Sequence, residues 1–564
     1  AGLFRVVSVL QVLWSQGAVF AGGLHGLVGA GTVTDTAQIF DREFQNTQMV
    51  DEADIFISHT WTADSWLKHA AICLHLNFKL ALGMAISAWM SVIGYIAITG
   101  LTSWGGCHFL VVAGVYVPTL LFFLVVFYGH LLGSLLHEQP TVWLDKVCIH
   151  QTDEAMKAQQ VKALPVFVAR SREMLVLWSD TYFERLWCNL ELATFAKHGH
   201  VDKVRFGPLW LAPWLLSSML LDLLSTSLLE LLEIAIPNWT AFFMVPLDRA
   251  FTETFHLEEG SRQAGFFAAL AIWCLSGMCY LPTSIPGCVA FRRKVSNHKL
   301  MLEQLSRFDI RAAQCTIESD RPLVEDQVVE LWSQESSGRS GPMPAPTPEV
   351  ESPINREEAL QRFNAFVQGP LLGAVVDAIG HEAHVPYHLC VVAFLPMNLY
   401  SLVNTLGCDG GPCESSALSA GFQSVGWYLG TQAMAWLLCL LLTFPLTHPV
   451  LLRLIRLAMS YSEGYLQTIL AVLCCPLAYA YSYVCGGIIW GLMFVTVQDY
   501  SSEWLAALVI YVSLLVAQAM LLFRRPRTGA MPQMDIASCK CSCAGRQIMV
   551  QYEEIRPMLP SSTG

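Results

Sequence analysis

Eight stretches of this chain are long and apolar enough to cross a bilayer: 80–101, 109–133, 209–235, 264–291, 385–405, 418–444, 465–497 and 504–523. A span needs about 20 mostly apolar residues, and in hydrocarbon the backbone must satisfy its own hydrogen bonds, so these stretches are read as helices. The third carries Asp222, Glu230 and Glu233, which are costly in lipid; it reads either as a span or as an interfacial amphipathic helix. The seventh is overlong and contains Pro476 and the pair Gly486-Gly487, so a tilt, kink or break is expected there. Charged residues make up only 14% of the chain against 54% hydrophobic, with mean hydropathy +0.46. A soluble domain carries about 25% charge, so composition agrees: a membrane protein with soluble parts, its first partner the lipid bilayer. A formal net charge of −12 argues against nucleic acid as a partner.

Basic residues orient the spans. Residues 292–384 hold ten Lys or Arg, starting with "FRRK", and the tail from Arg524 holds six. The segments 102–108, 406–416 and 499–502 hold none, and 236–262 hold two. With eight spans, every rich segment falls on one side. The N-terminal segment, 140–207, 292–384 and the C-terminus are then cytosolic. Residues 1–50 have no clear assignment; a lone Arg5 before Gly-broken apolar stretches is a weak signal-peptide pattern.

Between the spans lies a different pattern. "ADIFISH", 53–59, is a short β-branched apolar run and reads as a buried strand, followed by a helix and then the first two spans. After them come a strand-like "TVWLDKVCIH", a capped helix "TDEAMKAQQVKALPVFVARS", a third strand "EMLVLWS", the helix "DTYFERLWCNLELATFAKHG" and a fourth strand-like "KVRFGPLWL". Strands alternating with helices predict a doubly wound parallel sheet. A membrane hairpin at 79–135, two spans long, returns the chain to the side it left, so the domain can close across it. Sites in such folds lie at the C-terminal ends of strands, which directs attention to Ser58, His59 and Trp61, to Asp145 and Lys146, and to Ser179 and Asp180. Residues 336–353 are a Pro/Ser/Gly-rich linker within 292–384, and 385–523 would hold four spans.

These residues resemble a known family. "DIFISH" is similar to the opening strand of a Toll/interleukin-1 receptor (TIR) domain. "SREMLVLWSDTYFERLWCNLEL" is similar to that family's later strand and helix, with Ser179, Tyr182, Trp187, Cys188, Glu191 and Leu192 in the family's order. "VWLDKVCIHQTD" resembles the related fungal heterokaryon-incompatibility domains. The resemblance covers about 53–75 and 140–207, less than a fifth of the chain. The fold class is therefore read as an α-helical polytopic membrane protein with a small α/β, flavodoxin-like, parallel-sheet cytosolic TIR-like domain, 51–78 plus 140–207, split by a transmembrane hairpin.

The resemblance implies signalling, self-association through the TIR-like domain, and cleavage of NAD as substrate at the nicotinamide-ribose bond, with no cofactor required. Glu191 matches the family's catalytic glutamate. A fixed carboxylate can stabilise oxocarbenium character on the ribose and hold its hydroxyls. Ser58, His59, Trp61, Trp143, Asp145, Ser179 and Trp187 would line the nucleotide pocket. The structural alternatives stand beside each reading. Glu191 could serve its own helix in a non-enzymatic scaffold, Ser58, His59 and Trp61 could cap the next helix, and Asp145 and Lys146 could form a local ion pair. Cys148-x-His150 lacks the second pair that zinc requires. Cys539, Cys541 and Cys543 suit palmitoylation, metal binding or no role, and Cys408 and Cys413 suit a disulfide in an external loop. A transporter or channel is the third reading, with Asp222, Glu230, Glu233, His388 and Gln518 as scattered intramembrane polar groups.

Overall fold

The computed structural model describes residues 3–14, 18–20, 42–99, 110–136, 139–198, 201–236, 239–256, 262–315, 317–333, 356–406, 414, 417–418, 421–461, 464–499 and 502–524. The linker 336–353, Cys408 and Cys413, and Cys539, Cys541 and Cys543 lie outside them.

A six-stranded sheet opens the chain. Strand β1 (Arg5–Ser8) leads into helix α1 (Val9–Trp14), then β2 (Gln48–Met49) and β3 (Ala53–His59). Helix α2 (Ser65–Thr99) and helix α3 (Val117–Leu136) form the inserted hairpin. The sheet resumes with β4 (Thr141–Trp143), the single turn α4 (Asp145–Cys148), α5 (Glu154–Lys162), α6 (Leu164–Ala169), β5 (Ser171–Trp178), α7 (Leu186–Lys197) and β6 (Val204–Pro208). The spatial order is β2-β1-β4-β3-β5-β6. Strands β4, β3, β5 and β6 are mutually parallel, and by chain order they run 2-1-3-4, the doubly wound flavodoxin order. β3 and β5 are central and buried on both faces, which is why both read as near-continuous apolar runs.

Three expectations change here. The sheet is mixed rather than parallel, because β1 adds antiparallel to β4 and β2 antiparallel to β1. "TVWLDKVCIH" is strand only to Trp143. The Asp145 carboxylate accepts from the Lys146 N–H at 2.7 Å and turns the chain into α4. The helix expected from Thr152 breaks at Ala163, since Pro165 has no N–H to donate and restricts the residue before it.

The rest of the chain is helical: α8 (Leu211–Ala235), α9 (Trp239–Phe255), α10 (Arg262–Met278), α11 (Ser284–Ser306), α12 (Arg321–Ser333), α13 (Arg356–Phe366), α14 (Leu372–Ile379), α15 (Tyr387–Val392), α16 (Leu395–Leu406), α17 (Val425–Leu442), α18 (Thr447–Tyr461), α19 (Gly464–Asp499) and α20 (Ser502–Phe523). Among the described residues six helical segments are long and apolar enough to span: Ser65–Ile96, Val112–Leu132, Leu211–Leu232, Val425–Tyr461, Gly464–Gln498 and Ser502–Phe523. A seventh forms if α10 and the helix after it count as one span, bent by 55°.

The expected spans fare unequally. Residues 209–235 form one helix of spanning length. Residues 465–497 stay unbroken through Pro476. Their glycines serve close packing: a Cβ at Gly491 would overlap the Phe266 ring of α10, and one at Gly487 the Leu270 side chain. Residues 385–405 are not one span; they divide into α15 and α16 at 393–394. Asp222 Oδ2 of α8 accepts from the Met397 N–H in the first turn of α16 at 2.8 Å. That is an N-cap supplied in trans, which explains a carboxylate at this depth.

The region 292–384 packs on the α/β unit. α11 continues past its apolar part to Ser306, and Gln304 Nε2 donates to the Asp180 carbonyl at 3.0 Å and to Glu184 Oε1 at 2.7 Å. Lys197 Nζ of α7 sits 4.3 Å from the Trp332 ring centroid of α12 and donates to the Leu331 carbonyl. One continuous core joins the sheet to α2, α3, α8 and α11.

Candidate functional site

The C-terminal ends of β3, β4 and β5 open on a recess of about 120 Å³. Its walls include His59, Trp61, Trp143, Asp145, Trp187 and Glu191. This volume is on the scale of one aromatic ring, since a dry cavity of ~150 Å³ takes benzene.

Glu191 projects from the second turn of α7. Ser58, the penultimate residue of β3, donates from Oγ to Glu191 Oε2 at 2.5 Å. The Tyr182 hydroxyl lies 2.7 Å behind Ser58 Oγ. Because Ser58 spends its proton on Glu191, Tyr182 is the donor to Ser58, giving a relay from Tyr182 through Ser58 to Glu191. Burial pushes the Glu191 carboxyl up to about 8; the Ser58 hydrogen bond opposes this, and Asp145 adds to it. Glu191 is therefore mostly a neutral acid at pH 7, not the fixed carboxylate that the family resemblance implies.

His59 ends β3 and is 5% exposed. Burial lowers it to about 4, with Asp145 opposing, so its ring is neutral at pH 7. Its Nε2 has no hydrogen-bond partner among the described residues and lies 3.9 Å from Asp145 Oδ1. Trp61 Nε1 donates to Asp145 Oδ2 at 2.5 Å. Lys146 Nζ donates to the Phe20 carbonyl at 3.1 Å and stands 5.3 Å from the Trp61 ring centroid. Lys68 of α2 is fully buried behind them, its Nζ 3.4 Å from the Trp61 carbonyl. Trp143 stacks on Phe56 at 4.4 Å and forms the floor.

Seven of the eight residues expected at a site thus meet: six line the recess, and Ser58 holds Glu191 from behind. Ser179 does not reach it. Its Oγ pairs with Thr60 Oγ1 at 3.0 Å, holding the ends of β3 and β5 together. Cys148 and His150 diverge: Cys148 is buried beside the Leu144 N–H, whereas His150 Nδ1 accepts from the Asp153 N–H. No group of three metal-ligating side chains occurs among the described residues.

Sequence reasoning missed part of the wall. Ile317 and Asp320 lie over 120 positions from Glu191 and close the recess from outside the α/β unit. A short parallel bridge delivers them: Leu186 N–H donates to the Gln314 carbonyl at 2.9 Å, and Gln314 N–H to the Glu184 carbonyl at 2.8 Å. No local pattern announces that docking. Lys68 had a signal, a lone cation within the apolar run "WLKHAAICLHL". Cys188 also lines the recess, but burial holds its thiol well above the ordinary value, so it is no nucleophile.

No family model, curated protein or solved structure matches the chain.

Proposed function

We propose that the recess takes the nicotinamide end of NAD, and that the chain is a membrane-anchored, TIR-like signalling protein cleaving the nicotinamide-ribose bond. The observation carrying this reading is Glu191: a carboxyl on the wall of a ring-sized recess, beside Trp187, hydrogen-bonded by Ser58 and engaged in no ion pair among the described residues.

The chemistry follows from the surroundings. The pyridinium of NAD is a cation, and a cation beside Glu191 favours its ionised form. Substrate entry then displaces the proton that burial retains. The glycosidic bond breaks with its electron pair leaving on neutral nicotinamide. The ionised carboxylate faces the oxocarbenium carbon, and water adds there and loses a proton, giving ADP-ribose. The Tyr182–Ser58 relay holds the carboxylate in place. In this reading the α/β unit and C-terminus are cytosolic, and self-association through the α/β unit concentrates the activity.

The test is NAD consumption by the purified full chain clustered on liposomes, against Glu191→Ala. Consumption abolished in the variant is expected. No consumption by either protein, or equal consumption by both, rejects the enzyme and leaves the interaction scaffold. The burial that keeps Glu191 neutral at pH 7 favours that second reading. A transporter would show solute flux surviving Glu191→Ala.

A further inference from the structure

Arg292 and Arg293 stand where the apolar part of α11 ends at Phe291. With Ser296 and Asn297 of the same helix, Met459 of α18 and Gln467 of α19, they line a groove of about 310 Å³. At ~30 Å³ per water that equals roughly ten waters' share of liquid volume, room for a phosphate and its substituent.

The groove lies at the edge of the apolar band. α18 ends at Tyr461 and α19 begins at Gly464; Tyr461 and Tyr465 are 82% and 92% exposed, as interfacial anchors are. One turn further in, Ile469, Val472 and Leu473 of α19 and Ile285 and Val289 of α11 present apolar surface outward.

Three neighbouring cations are engaged. Arg456 pairs with Glu382, Arg453 donates to the Leu522 carbonyl at 3.1 Å, and Lys294 is buried with its Nζ 5.5 Å from the Trp210 ring centroid. Arg292 Nη2 donates only to a neutral oxygen, Thr468 Oγ1, at 3.1 Å. Neither Arg292 nor Arg293 forms an ion pair with a carboxylate among the described residues.

We propose that this groove binds the phosphate-bearing headgroup of an anionic membrane lipid. Two guanidiniums offer paired donors to phosphate oxygens, Ser296 and Asn297 offer neutral donors to the rest of the headgroup, and the acyl chains follow the exposed side chains of α11 and α19 into the hydrocarbon. The proposal does not depend on the NAD reading.

The full chain in detergent is equilibrated with mixed micelles of phosphatidylcholine and phosphatidylinositol monophosphate in equal amounts. Lipid retained through gel filtration is then measured by mass spectrometry. Wild type is expected to enrich the phosphoinositide about tenfold. Enrichment is lost in the double variant Arg292→Gln, Arg293→Gln, and also in Ser296→Glu, which keeps both arginines but sets a carboxylate in the groove. Arg307→Gln, just past the end of the same helix and beyond the groove, retains it. Equal retention of the two lipids by wild type, retention surviving both groove variants, or an equal loss in Arg307→Gln overturns the site. Soluble inositol bisphosphate should displace the lipid only in large excess; displacement at a concentration equal to the lipid's overturns the lipid as the source of the phosphate.

Discussion

The Ser58 hydroxyl bonds Glu191 across 2.5 Å, between residues 133 positions apart, and it is the strongest restraint that burial meets at this carboxyl. Ser58→Ala removes it. A hydrogen bond to a charged group contributes about 1.5–3 kcal/mol, one to two pKa units at about 1.4 kcal/mol each. The carboxyl should rise by about one unit or more, and the acid limb of the NAD-cleavage pH profile should move to higher pH with it. Tyr182→Phe, one step back along the relay, should move the limb less. An unmoved limb in Ser58→Ala rejects the role given to this serine.

Glu191 holds its proton to about pH 8 when folded, against an ordinary value of 4.5. The folded state therefore carries an extra proton between those values. Its contribution to stability is full below about 4.5 and is lost as pH rises through about 8. The loss is at most about 5 kcal/mol, less wherever water enters the recess. Thermal midpoints in detergent should fall from pH 6 to pH 8.5 for wild type and stay level for Glu191→Gln. Parallel falls in both proteins would show that another group titrates.

Lys68 of α2 is fully buried, and its Nζ meets a neutral oxygen, the Trp61 carbonyl. Lys68→Met keeps the stem and removes the desolvated charge. It should raise the thermal midpoint at pH 7, by the equivalent of about 1–3 kcal/mol. A lower midpoint at pH 7 would mean that Lys68 is paired more strongly than its 3.4 Å contact with the Trp61 carbonyl indicates.

Asp222→Ala leaves the Met397 N–H uncapped inside the apolar region. A lost N-cap costs about 0.5–2 kcal/mol, and the absence of water there puts this site at the upper end. Asp222→Asn keeps an acceptor oxygen and should lose much less. Thermal midpoints in nanodiscs compare the three proteins; equal losses in both variants would point to the charge rather than the cap.

Gly491→Val should loosen α10 from α19, because its side chain would meet the Phe266 ring. Overpacking of this kind costs about 1–3 kcal/mol. Proteolysis of the 256–262 connection should quicken accordingly. Phe266→Ala in the same chain should restore the wild-type rate, and failure to do so rejects the contact as the cause.

The parts of the fold that could be read from sequence are those with a local signature. β3 and β5 are apolar runs of strand length, and α7 carries the Trp187-to-Leu192 string, so their order predicted a doubly wound arrangement and brought Ser58 and Glu191 to one end of the sheet. β1 and β2 were illegible because strands of four and two residues have too little periodicity to register. The stretch 385–405 is apolar enough but divides, because Pro396 has no N–H to donate to the Val392 carbonyl, where α15 ends. The carboxylate that then caps α16 lies 175 positions away, a partner that hydropathy does not sense. That Glu191 is shifted or paired follows from its place one turn from Trp187 on a largely apolar segment; the size of the shift was hidden, because it depends on how deeply tertiary packing sets the carboxyl.

Helix α2 runs without interruption from Ser65, just past the residues of the recess, to Thr99. Thirty-five residues at 1.5 Å each make a rod of about 52 Å. Such a rod acts as a lever: retilting it by ~5° about its membrane end carries its other end sideways by ~4–5 Å. Lys68 and the Trp61 carbonyl ride on that end. Bilayer thickness bears on the tilt of a spanning helix, and the end of this rod where any change of tilt is largest is the one beside the ring-sized recess.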